Sequence, residues 1–192
     1  MSFSFQFTLK QIILGLFLTA ASGVLPVLLT QAARAQSVTD NLDVTATVKA
    51  SCKISGVTAV NFGTYDALGT HYATALDTKG SVSVSCLPTV KASIQLKQGT
   101  NPATGSTCTA PARQMKGPNA APLPYGLFKD SARSQVWGCD SSTAVEYTAA
   151  KATATTFDIY GRIPAAQDLP AGVLDTLEPG AYSDTVQIVV SF

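Results

Sequence analysis

Two stretches of this chain, one near each end, alternate between polar and apolar residues, and that restricts the fold more than any other feature. From Ser37 to Lys49 every odd position is polar or charged, and the even positions from Leu42 to Ala50 are all apolar. At the other end Val186, Ile188, Val190 and Phe192 alternate with Thr185, Gln187 and Ser191. A period of two sends successive side chains to opposite faces of an extended backbone. Each run therefore reads as a β-strand with one face to bury, and neither can bury it without a partner.

Residues 1–35 read as a leader rather than as part of the fold. Lys10 precedes an apolar stretch from Ile12 to Leu29, and Ala33-Arg34-Ala35 supplies a small-x-small cleavage site. An uncleaved anchor is the alternative, because the apolar run is near spanning length. Gly23 and Pro26 interrupt the run, which favours a signal peptide and a mature chain that starts at Gln36. On this reading the chain meets a membrane only transiently, during export. The 157 residues that remain suffice for one domain with a core of its own.

Without Lys10 and Arg34 the chain holds 11 basic and 12 acidic residues, spread along its length. No basic cluster marks a nucleic-acid partner. Cys52, Cys86, Cys108 and Cys139 all lie in the mature part. An even count behind a signal peptide predicts two disulfides formed in an oxidising compartment. Three pairings are open; the sequential one, Cys52–Cys86 with Cys108–Cys139, is favoured, each bond worth about 3–4 kcal/mol by loop entropy. A zinc site is the alternative use of the cysteines, but no CxxC or HxxxH spacing occurs, so no metal is expected.

Most of the remaining chain reads as short strands. Val60 and Phe62 lie in a run from Val57 to Tyr65. Val82, Val84 and Cys86 alternate with serines up to the bend at Pro88. Ala92, Ile94 and Leu96 share a face, as do Leu123, Tyr125 and Leu127, and again Thr153, Thr155, Phe157, Ile159 and Gly161. Residues 99–122 are rich in Gly, Pro, Asn, Thr and Ala and predict a long surface loop pinned in part by Cys108. Leu169–Gly180 reads as a second loop. The whole predicts an all-β antiparallel sandwich. Gly180-Ala181-Tyr182-Ser183-Asp184 resembles a tyrosine corner, in which a Tyr hydroxyl bonds back to the chain. An ordinary core tyrosine is the alternative.

Little in the sequence carries chemistry. His71 is the sole imidazole, falls in a loop and reads as merely a surface residue. No GxSxG elbow, phosphate loop or EF-hand loop occurs. Asp175 and Glu178 are loop carboxylates, which are normally solvated. Neither catalysis nor a cofactor is expected. What remains is recognition by strand addition, with one alternating end giving a strand to a neighbour and the other receiving one. The same residues 38–50 could equally form the first strand of their own sheet. The pattern alone does not separate the two.

Four stretches carry a resemblance. They are the alternating lead-in to Cys52-Lys53-Ile54; Val60-Asn61-Phe62-Gly63-Thr64-Tyr65-Asp66; Leu123-Pro124-Tyr125-Gly126-Leu127-Phe128-Lys129-Asp130 followed by Val136-Trp137-Gly138; and the ending from Pro179 to Phe192. With these, the mature chain resembles the spore coat protein U domain, found in subunits of archaic chaperone–usher pili.

The resemblance implies an incomplete immunoglobulin-like sandwich that lacks its last strand. A periplasmic chaperone would lend a strand, and at an outer-membrane usher the N-terminal extension of the next, identical or related, pilin subunit would replace it. Repetition would give a head-to-tail surface pilus that supports adhesion or biofilm formation. The donor strand would present Val38, Leu42, Val44, Ala46 and Val48, within an extension of residues 36–50. The pilin domain would be residues 51–192, with Val186, Ile188, Val190 and Phe192 at the acceptor groove. Two alternatives stand beside this one, a tip adhesin of such a pilus and a non-polymeric secreted coat or matrix protein. A single domain whose long loop is poor in aromatics favours the shaft over the tip. Many family members carry Trp-Gly-Asp-Gly where this chain has Trp137-Gly138-Cys139-Asp140. A bond from Cys139 to Cys108 would tie the long loop to the Trp turn.

Overall fold

The computed structural model describes residues 35–192; the expected leader lies almost wholly outside the described residues. Residues 35–51 hold no regular secondary structure, and each of them is exposed. The alternating arm is thus not a strand here, and no ladder among the described residues includes it. Alternation fits a residue to a sheet, but an extended backbone needs a partner before it becomes a strand.

From Cys52 onward the chain is a two-layer antiparallel sandwich. Its strands are β1 (Cys52–Thr58), β2 (Leu76–Cys86), β3 (Lys91–Leu96), β4 (Arg113–Lys116), β5 (Pro122–Phe128), β6 (Val145–Thr148), β7 (Thr155–Ile163) and β8 (Ile188–Ser191). One sheet runs β1-β2-β7-β5-β4, the other β6-β3-β8. Alternation sets the inner faces. Val82 and Val84 of β2, Ile94 and Leu96 of β3, Leu123 and Leu127 of β5, and Ile159 and Ile163 of β7 form the core between the sheets. All these positions have the parity expected from sequence.

The two sheets are fastened together by Trp137, which is fully buried. Its backbone N–H donates to Leu127 O on β5 (2.9 Å), and its indole N–H donates to Ile94 O on β3 (2.8 Å). Leu96 N–H donates to Gly138 O beside it (3.0 Å). Cys52 and Cys86 face each other as the first pair of the β1–β2 ladder and are disulfide-bonded, with Cα atoms 4.0 Å apart. Cys108 is bonded to Cys139, which ties the long segment to the Trp turn.

Residues 99–122 differ from the surface loop expected. They contain β4, which pairs with β5 at one edge of the larger sheet. Arg113 at its start is 2% exposed. The reason is local: Nε donates to Lys97 O (2.9 Å), while Nη2 donates to Leu96 O (2.8 Å) and Trp137 O (2.9 Å). A fork-shaped cation gathers three carbonyls at the end of β3. Burial pushes its pKa down to about 10, so it stays charged at neutral pH. The loop expected over Leu169–Gly180 holds a single helical turn, Val173–Thr176.

Candidate functional site: an open groove between two bare strand edges

β1 leaves its ladder with β2 after the pair Thr58–Ser81. Residues 59–65 then carry no secondary structure and drop inward across the larger sheet. Two glycines make room for this. A Cβ on Gly80 would fall against Thr58 O, and one on Gly161 against Val60 and Phe62. Phe62 comes to rest edge-on against Tyr125, with ring centres 6.2 Å apart.

The last segment of the chain faces these residues. Ser183 exchanges backbone hydrogen bonds with Lys116 of β4 (2.9 and 3.1 Å), so the segment begins on the larger sheet. By Gln187 it has crossed to the smaller one, where Lys97 N–H donates to Gln187 O (2.9 Å) and β8 pairs with β3 from Leu96–Ile188 to Ser93–Ser191. β8 has a ladder on one side only, as does β1. The two bare edges approach each other without hydrogen bonds between them.

Between them the core is open. A cavity of about 380 Å³ is floored by Leu96, Tyr125, Leu127 and Ile159 and walled by Val57–Val60 on one side and Ser183–Val186 with Ile188 on the other. A wider one of about 910 Å³ adjoins it, sharing Val60, Phe62, Met115 and Tyr182 and reaching Leu68, Leu174 and Leu177. Together they form one apolar groove rimmed by unpaired backbone, the arrangement that strand addition uses.

The four residues expected at the groove take three positions. Val186 and Ile188 line it, Val190 packs on the core beside it, and Phe192 is 59% exposed. The arm residues are unpaired: Val38 is 96% exposed, Leu42 87%, Val44 85% and Val48 81%, and Ala46 is exposed with them.

Polar groups hold the last segment in place. Tyr182 hydroxyl donates to Glu178 O and accepts from Glu178 N–H, both at 3.0 Å, so it bonds back to its own chain as a tyrosine corner does. Asp184 accepts from Tyr125 hydroxyl (2.6 Å), Thr100 N–H (3.0 Å), Thr100 hydroxyl (2.7 Å) and Asn101 Nδ2 (3.1 Å). Burial works to raise its pKa, but the bonds from Tyr125 and Thr100 outweigh that and hold the carboxyl below its ordinary value. Burial raises the Tyr125 hydroxyl, and the bond to Asp184 raises it further. Sequence reasoning missed the roles of Arg113 and Asp184. Arg113 stands in a stretch that looks like loop. Asp184 looks like any turn residue, although it lies in the ending that carried the resemblance.

His71 is partly buried rather than merely superficial; its Nδ1 accepts from Asp66 N–H (2.9 Å) and its ring stacks on Tyr65. Among the described residues no cluster of three or more His, Cys, Asp or Glu could hold a metal. No helix among them is long and apolar enough to cross a membrane.

A family model described as the Spore Coat Protein U domain matches residues 38–189. The chain belongs to that family. Protein U of Myxococcus xanthus is 35% identical to this chain over 168 residues, 83% of this chain and 88% of its own. A solved structure with the same fold is the CsuC–CsuE chaperone–tip adhesion subunit pre-assembly complex from archaic chaperone–usher Csu pili of Acinetobacter baumannii. The match there has a TM-score of 0.51 and 25% identity, and covers 76% of this chain and 40% of that one. The chain thus spans about two fifths of the solved chain it matches. Its fold is an immunoglobulin-like sandwich left open between β1 and β8.

Proposed function

We propose that this chain is a subunit of a cell-surface pilus assembled by donor-strand exchange. Residues 38–48 of the next copy occupy the groove between β1 and β8 of the copy before it. The observation that carries this reading is that one molecule holds both halves of the joint. It has an apolar groove rimmed by two bare edges, and an exposed arm whose alternation fits a strand. The family match begins at Val38, so the arm belongs to the family's pattern rather than to an appendage. Burying Leu42, Val44 and Val48 contributes about 1.5–3 kcal/mol each. That is a sizeable part of a domain's net stability.

Before assembly the groove needs a temporary occupant, since an open core and a bare edge invite aggregation. The matched structure is a chaperone–subunit complex, which supports a periplasmic chaperone in that role. An outer-membrane usher would then be the place of exchange, and the pilus surface the final location. That structure contains a tip subunit, so a tip position is the second reading. A subunit at the free end has no groove ahead of it to fill, and there the arm would be idle.

The test is periplasmic expression with and without a candidate chaperone, beside a variant lacking residues 36–48, read by size exclusion and mass spectrometry. The full chain should be unstable alone and polymerise. The truncated chain should keep chaperone binding and lose polymerisation. A full chain that is a stable monomer, and that truncation unfolds, would overturn the pilus in favour of a monomeric coat or matrix protein.

A further inference from the structure

We propose, resting on the donor-strand reading, that the Asp66–His71 turn with Leu68 at its tip seats the next copy of this chain. The copy whose arm fills the groove then also presses its own domain against that turn. Consecutive subunits are thus joined by a surface contact as well as by a strand.

The groove has a direction. In its narrow part Val57–Val60 lie opposite Ser183–Val186 and Ile188, and in its wide part Ala59–Leu68 lie opposite Leu174 and Leu177–Tyr182. Leu68 therefore marks the end remote from Phe192. All six ladders of the sandwich are antiparallel. An arm added to the β8 edge in the same sense enters with Val38 towards Phe192 and leaves with Val48 near Leu68.

The tether between arm and domain is short. Lys49, Ala50 and Ser51 separate Val48 from Cys52, which is bonded to Cys86. Four residue steps span at most about 14 Å even when fully extended. The donating domain must therefore stand at the groove's exit. The face it offers there is the start of β1 and the adjoining bend, where Leu87 N–H donates to Ser51 O (3.0 Å) and Pro88 is exposed.

The turn is built to be met. A lone exposed leucine is ordinary, but Leu68 is 82% exposed on a turn that is fastened at every corner. Gly69 N–H donates to Asp66 Oδ1 (3.0 Å), Asp66 N–H to His71 Nδ1 (2.9 Å) and His71 N–H to Asp66 O (2.9 Å). Tyr65 stacks on His71 at 5.3 Å, and its hydroxyl donates to Pro164 O (2.8 Å). Ala166 N–H donates to His71 O (2.9 Å). An apolar knob already held in one shape loses little freedom on docking.

The experiment mixes chains that each carry one new cysteine, so that any bond between them joins two copies. Lys49→Cys chains are polymerised with Leu68→Cys chains, and separately with Phe192→Cys chains, then treated with a short bismaleimide. The expected result is a covalent dimer in the first mixture and none in the second. A dimer at Phe192→Cys, or polymers with no dimer at Leu68→Cys, would overturn the seat. Unmodified chains that do not polymerise would sink the donor-strand reading and the seat with it. Leu68→Glu supplies the second measurement: polymers should still form, with a loss of stiffness in electron micrographs. Unchanged stiffness would count against the contact.

Discussion

Val82 to Cys86 of β2 and Leu42 to Val48 of the arm carry the same alternation, yet they end in opposite places. Val82 and Val84 are fully buried, whereas Leu42, Val44 and Val48 are almost bare. Their side chains are of one kind, so the difference lies in the neighbours. β2 has a ladder on each flank, with β1 and β7. The arm has none among the described residues. Alternation states that a face is to be covered. It does not state which chain covers it.

The sharpest way to break that contrast is to put the same charge in both places. Val84→Asp sets an unpaired carboxylate in the core and should cost more than about 4 kcal/mol, enough to abolish folding. Val44→Asp should leave the thermal midpoint of the chain unchanged and stop polymerisation. If both unfold the chain, the arm belongs to its own sheet and the contrast disappears. Replacing Cys52 and Cys86 together by serine should lower stability in urea by about 3–4 kcal/mol. Arg113→Met leaves three carbonyls, two of them in buried bonds, without their donor and should cost roughly 2–3 kcal/mol in the same assay. Arg113→Lys should not restore the loss, because an ammonium lacks the fork that reaches all three.

Asp184 gives a smaller, pH-dependent effect. Its carboxyl titrates lower in the fold than in the unfolded chain. Its contribution is therefore complete above the unfolded value near 4 and fades as the pH falls through the lower folded value. Asp184→Asn should reduce the urea midpoint at neutral pH and flatten its decline below about pH 4. The smallest effect belongs to the exposed pair Lys79–Asp158 (3.1 Å). Lys79→Ala should change stability by less than about 0.5 kcal/mol.

The strands were legible in the sequence wherever one face is buried by the chain itself. β2, β3, β5 and β7 all follow the parity of their apolar residues, while in β8 Val189 is half-buried along with Ile188 and Val190. β4 was not legible. Arg113 is buried because carbonyls from Leu96, Lys97 and Trp137 converge on it, and that convergence exists only after β3 and the Trp turn are in place. Nor could the need for glycine at positions 80 and 161 be read, since what they make room for is the inward drop of residues 59–62. The groove was half legible. Val186 and Ile188 could be named from the family resemblance that the chain's ending carries, but the opposite wall, Val57–Val60, looks in sequence like an ordinary strand.

If copies are joined by the proposed strand exchange, the disulfide at the first rung of the β1–β2 ladder bears on what the resulting filament does under tension. A pull on the arm enters the domain at Cys52. Without the bond, β1 would peel from β2 one rung at a time, the easiest way to open a ladder pulled from its end. With Cys52 tied to Cys86, the pull passes covalently into β2, which is gripped on both flanks. In such a filament what would give way first is the groove's hold on the arm, between copies rather than within one. A thiol reductant would move the point of failure from the joint into the subunit.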